Sequence, residues 1–71
     1  MAEGLTNSLR DERVRLGWTQ AELAERVGVS RKTINTVENG VFIPSTVLAL
    51  KLAAAIGKPV EALFALDATQ G

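Results

Sequence analysis

Neither cysteine nor histidine occurs anywhere in the chain. The missing cysteines exclude a disulfide framework, and the two absences together exclude a Cys/His metal site; the composition fits a reducing cytoplasm. Long apolar runs are missing too. The longest, around Val41–Ile43 and Leu52–Ile56, are far too short to span a bilayer, so no membrane association is expected. Residues 1–7 lack the basic-then-apolar pattern of a signal peptide. Eight acidic residues cancel eight basic ones, so there is no excess positive charge. Any affinity for nucleic acid must then come from a local patch, helix N-termini and polar side chains. Catalytic chemistry also has little to draw on. Asp11, Glu12, Glu22 and Glu25 sit on helix faces expected to be solvated, no glycine-rich phosphate loop occurs, and no nucleophile stands beside a base. The expectation is a protein that is not an enzyme and uses no cofactor.

What is present is a short chain with a strong helical pattern. Its 71 residues suffice for one small domain, and a hydrophobic content of 46% supplies a core. A first helix is expected from Thr6 to Leu16, with Leu5, Leu9, Val14 and Leu16 as apolar anchors and Gly17 at its end. Thr19 and Glu22 form a capping box for a second helix over Gln20–Val27. Ser30 caps a third over Arg31–Asn39, closed by Gly40. Ser45 caps a fourth over Thr46–Ile56, ended by Gly57. Pro59 fits the first turn of a fifth, near Val60–Leu66. No strand alternation stands out. The predicted architecture is an all-α, compact five-helix domain over 1–66 with a short frayed tail over 67–71.

The stretch 20–39 is the most telling. Leu23, Val27, Ile34 and Val37 make an apolar seam across a tight turn that begins at Gly28, with Val29 plugging it and Ala24 where the two helices come closest. At about 100° per residue, Ile34 and Val37 define the buried side of the third helix. Lys32, Asn35, Thr36 and Asn39 then fall on the opposite side, with Arg31 at the N-terminus. These are hydrogen-bonding side chains without an acid among them, suited to base edges in the major groove. Trp18, just before the cap, is expected to staple the corner between the first two helices rather than stack on a base.

The run Thr19-Gln-Ala-Glu-Leu-Ala, Gly28-Val-Ser, Thr33-Ile-Asn and Val37-Glu-Asn-Gly40 resembles the Cro/phage-repressor-type helix-turn-helix family. Pro44-Ser45, Leu48-Ala-Leu-Lys-Leu-Ala53, Ile56-Gly57 and Leu63-Phe64 are similar to that family's fourth and fifth helices, so the likeness covers about residues 9–66. The resemblance implies a lambda-repressor-like fold and a transcriptional regulator. By position it implies that Arg31, Lys32 and Thr36 face bases, with Asn35 a further candidate. Gln20 would hold a phosphate and brace the recognition helix. Thr19, Ser30 and Asn39 would touch the DNA backbone, and Arg13 would pair with Glu38.

The chain departs from the family at Val41-Phe42-Ile43, where basic or polar residues are usual, and at Val47, Ala54 and Ala62. That apolar surface must be buried within the domain or against a partner. The expected partners are a palindromic double-stranded operator and a second copy of the chain. The expected dimer surface is Ala54, Lys58, Val60, Leu63, Phe64 and Leu66, with Phe42 as second choice. A protein partner on the 41–43 loop, as in an antitoxin that covers its toxin, is the rival reading. The reading favoured is a stand-alone regulator, repressor rather than activator.

Overall fold

The computed structural model describes residues 4–66; the expected tail at 67–71 lies outside that range. The elements, in chain order, are β1 (Leu5–Asn7), α1 (Leu9–Arg15), α2 (Gln20–Val27), α3 (Arg31–Glu38), α4 (Thr46–Ile56), α5 (Val60–Leu63) and β2 (Phe64–Leu66). Five helices are where the sequence placed them, but the first and last are shorter than expected. Leu5–Asn7, assigned in part to the first helix, pairs antiparallel with Phe64–Leu66, assigned to the fifth. The register sets Leu5 opposite Leu66 and Asn7 opposite Phe64.

Local chemistry explains both corrections. Asn7 Oδ1 accepts from the Leu9 N–H at 3.1 Å, so the asparagine starts α1 from outside it. Its amide also donates to the Val37 carbonyl at 3.0 Å, which ties the corner to α3. Ser8 then serves the carbonyls that α5 leaves open: its N–H donates to Leu63 and its hydroxyl to Ala62. The chain that would have extended α1 backwards is thereby committed to closing α5.

The other boundaries follow their caps. Thr19 Oγ1 accepts from the Glu22 N–H at 3.0 Å while Glu22 Oε1 accepts from the Thr19 N–H at 2.8 Å. Ser30 and Ser45 accept from Thr33 and Leu48 in the same manner. Gly28 ends α2 at φ +77°, in the left-handed region that a Cβ makes costly.

Leu9, Leu23, Ile34, Val37, Leu52 and Leu63 lie at the centre of the core, with Ala24, Val27, Leu48, Ala53, Ile56 and Phe64 around them. Val29, Trp18, Leu5 and Leu16 pack against its edge. Val14, expected as an anchor, is exposed. It lies about 140° around the helix from Leu9, and a seven-residue helix has room for only one apolar stripe.

Candidate nucleic-acid interface

The α2–turn–α3 unit presents one polar face. Arg31 and Lys32 occupy the first turn of α3 and are exposed, as are Asn35 and Asn39. Thr36 is half-buried, and its hydroxyl donates to the Lys32 and Thr33 carbonyls of its own helix. The backbone N–H groups of Val41 and Phe42 both donate to the Thr36 carbonyl, which folds the following loop back against the helix. Thr19 and Ser30 are exposed at the N-termini of α2 and α3, where the helix dipoles favour an anion.

A chain of side-chain hydrogen bonds crosses this face. Arg31 Nη1 donates to Gln20 Oε1 at 3.4 Å. Gln20 Nε2 donates to Asn35 Oδ1 at 3.2 Å and to Glu38 Oε1 at 3.0 Å. Asn39 Nδ2 also donates to Asn35 Oδ1, and Arg10 Nη2 donates to Asn39 Oδ1 at 2.8 Å. The Asn35 carbonyl oxygen therefore serves two donors within the protein. Among the described residues nothing accepts from its NH2 group, which can meet an acceptor on a base edge.

Glu38 anchors the chain from below. Its side chain is 0% exposed, and Arg13, at 12%, reaches it with Nε 2.6 Å from Oε2 and Nη2 3.2 Å from Oε1. Burial opposes the negative charge, but hydrogen bonds from Arg13, Gln20 and Arg10, with the Arg13 charge, outweigh it. The carboxyl is held below the usual glutamate range. Arg13 Nη1 also donates to the Trp18 carbonyl at 2.8 Å, linking the pair to the start of α2. The Trp18 ring faces the Arg26 guanidinium, 4.0 Å from the ring centroid. Arg10 is the member of this network that the sequence reading missed. Its signal was the Arg10/Arg13 spacing, which puts two guanidinium groups on one face of α1.

The residues expected to form a dimer surface are spread over several places, with Val60 and Phe64 lining one groove. Leu63 is 2% exposed and belongs to the core; Phe64 is buried too, with one edge lining the groove that Val60 borders. Lys58 Nζ is engaged with Glu12 Oε2 at 3.0 Å. Ala54 borders a shallow depression with Glu25, Arg26 and Lys51. Val60 lines a different groove with Leu5, Ile43 and Leu50, and Leu66 is exposed opposite Leu5. Val41, Phe42 and Ile43 are all exposed. Among the described residues no helix is long and apolar enough to cross a membrane.

Residues 9–63 match the helix-turn-helix family model. An uncharacterized HTH-type transcriptional regulator of Methanothermobacter thermautotrophicus is 50% identical over 60 residues, covering 83% of this chain and 87% of that protein. The HTH-type transcriptional regulator YgzD of Bacillus subtilis is 38% identical over 63 residues, covering 89% and 96%. Among solved structures, the restriction-modification controller protein C.AhdI of Aeromonas hydrophila superimposes with a TM-score of 0.72 at 35% identity, covering 76% of this chain and 82% of that one.

Proposed function

The chain belongs to the helix-turn-helix family, a family of DNA-binding transcriptional regulators and not of enzymes, and from that premise we propose that it is a repressor reading the major groove of a palindromic operator as a homodimer. The observation that carries this reading is the acid-free outer face of α3, with Arg31 and Lys32 exposed at its first turn. Arg31 and Lys32 select bases by donating to guanine O6 and N7 or to thymine O4. Asn35 contributes its NH2 group. Thr36, its hydroxyl engaged, offers its methyl group to a thymine methyl. Thr19, Gln20, Ser30 and Asn39 position the phosphate backbone, and Arg10 adds a cation beside Asn39.

The rival antitoxin reading draws no specific support from the site. The polar network faces outward along α3, which suits a nucleic-acid groove, and the relatives carry regulator names rather than those of toxin-binding proteins.

Selection from a pool of random duplexes tests the reading. The wild-type chain is expected to enrich a two-fold symmetric site. Lys32→Ala is expected to lose about 1–3 kcal/mol at that site and to relax one base position. Gln20→Ala is expected to weaken all sequences more evenly. Enrichment of the unaltered wild-type site by both Arg31→Ala and Lys32→Ala overturns the assignment of base readers.

A further inference from the structure

Given the DNA-reading role, on which this rests, we infer that Arg10 and Glu38 together make Asn35 a reader of guanine or thymine rather than adenine. Guanine and thymine are the bases that carry a carbonyl in the major groove. The usual asparagine contact is bidentate: the amide oxygen accepts from adenine N6 while the NH2 group donates to N7. That contact needs both ends of the amide. Here the oxygen is already occupied. Gln20 Nε2 and Asn39 Nδ2 both donate to Asn35 Oδ1, each at 3.2 Å. A carbonyl oxygen has two lone pairs, and these two donors fill them.

An amide can turn over and exchange its oxygen for its nitrogen, so something must hold this polarity. Two groups at the ends of the hydrogen-bonded chain do so, because each acts in one sense only. Arg10 carries a guanidinium, a donor with no lone pair to offer. Its Nη2 lies 2.8 Å from Asn39 Oδ1, so Asn39 turns its oxygen to Arg10 and its NH2 group to Asn35. Glu38 carries a carboxylate, an acceptor with no proton to give. It takes Gln20 Nε2 at 3.0 Å, and Arg31 Nη1 holds Gln20 Oε1 on the other side at 3.4 Å. Gln20 therefore also turns its NH2 group toward Asn35. Reversing any one of the three amides sets donor against donor or oxygen against oxygen. What remains of Asn35 for DNA is its NH2 group. Guanine offers it O6 and N7, and thymine offers O4. Adenine and cytosine place an exocyclic amine, a second donor, where those carbonyls stand. Arg10 lies on α1, outside the α2–turn–α3 unit, and reaches the base only through Asn39, so it is a positioning residue.

Selection from random duplexes, read position by position, tests this, with circular dichroism to confirm that each variant is folded. Asn35→Ala locates the position, since it is expected to flatten the preference there and not elsewhere. At that position the wild-type chain is expected to favour guanine or thymine over adenine about 10-fold, in the lower part of the range for a base contact. Asn39→Ala removes one donor, and Arg10→Met lets Asn39 turn away, so each frees a lone pair on Asn35 Oδ1. Both variants are expected to raise adenine there about 10-fold relative to guanine and thymine. Arg10→Lys keeps a donor-only group and is expected to keep the wild-type preference. A wild-type preference for adenine at the Asn35 position overturns the inference. So does a guanine or thymine preference that Arg10→Met and Asn39→Ala both leave unchanged; weaker binding of Arg10→Met to every sequence alike then marks a phosphate contact only. If Asn35→Ala flattens no position, the inference falls while the DNA-reading role stands. A wild-type chain that enriches no duplex overturns the DNA-reading role, and the base preference with it.

Discussion

Glu38 and Glu12 are each held by basic side chains from two or more places in the chain, yet they do different work. The Glu38 side chain is covered by its partners and collects donors from Arg13, Arg10 and Gln20, so one carboxylate fixes α1 and α2 against the end of α3. The Glu12 side chain is 15% exposed and meets Arg15 at 2.7 Å, one turn along its own helix, and Lys58 at 3.0 Å from the turn after α4, both of which are themselves well exposed. The chemistry of the pairs is the same; the solvent is not. Without water to take over, a partner lost at Glu38 leaves a charge or a donor stranded, whereas at Glu12 water and salt replace what is removed. Enclosure thus makes an ordinary ion pair a tie between α1, α2 and the end of α3.

Removing Glu38 should have the largest effect. Glu38→Ala strands Arg13 in a nearly closed site and is expected to cost about 3 kcal/mol, the low end for a broken buried pair because Arg10 reaches water. For a domain of this size that lowers Tm by more than about 10 °C. Replacing both partners, as Arg13→Met with Glu38→Leu, should cost less than Glu38→Ala alone. An unchanged Tm for Glu38→Ala in thermal unfolding makes the two carboxylates equivalent and breaks the comparison.

Acid should reveal the same difference more gently. The Glu38 carboxyl titrates lower in the folded chain than in the unfolded one, so the unfolded state takes up its proton first as pH falls. Its stabilising contribution is full above the ordinary glutamate value of 4.5 and is lost as pH drops through the lower folded value. Glu38→Gln cannot titrate. Its deficit against wild type is therefore expected to be largest near neutral pH and to shrink steadily toward about pH 3. A deficit that stays constant over that range would show that the glutamine disturbs packing rather than charge.

How legible each feature was in the sequence depends on how local its cause is. Thr19, Ser30 and Ser45 cap helices within three residues of themselves, so their positions could be read directly. The seam of Leu23, Val27, Ile34 and Val37 repeats with the helix and was equally plain. The Arg13–Glu38 pair came from family likeness, since nothing in a spacing of 25 residues predicts it. The β1–β2 ribbon was invisible, because three-residue strands show no alternation and their partners lie about sixty residues apart. Leu63 looked available for a partner because one turn of helix is too short for its periodicity to show which side faces the core. At the reading face, the residue types could be inferred, but the engagement of the Asn35 oxygen by both Gln20 and Asn39 depends on tertiary placement.

The smallest effect belongs to Glu12. Hydrogen bonds from Arg15 and then Lys58 hold its carboxyl below the ordinary range, the same direction as at Glu38. The direction alone would suggest equal importance. Water surrounds both partners, however, with Arg15 about half exposed and Lys58 nearly so, and either cation is solvated at once when released. Glu12→Gln and Lys58→Ala are therefore each expected to shift Tm by a few °C at most, the range of exposed pairs in a domain of this size. Raising the salt concentration should erase even that difference while leaving the Glu38→Ala deficit largely intact, because screening ions reach the first site and not the second. Thermal melts of the three variants at low and high salt read both effects together. A Glu12 deficit that survives high salt would mean that Lys58 packs the α4–α5 turn against α1 through its methylene stem rather than its charge.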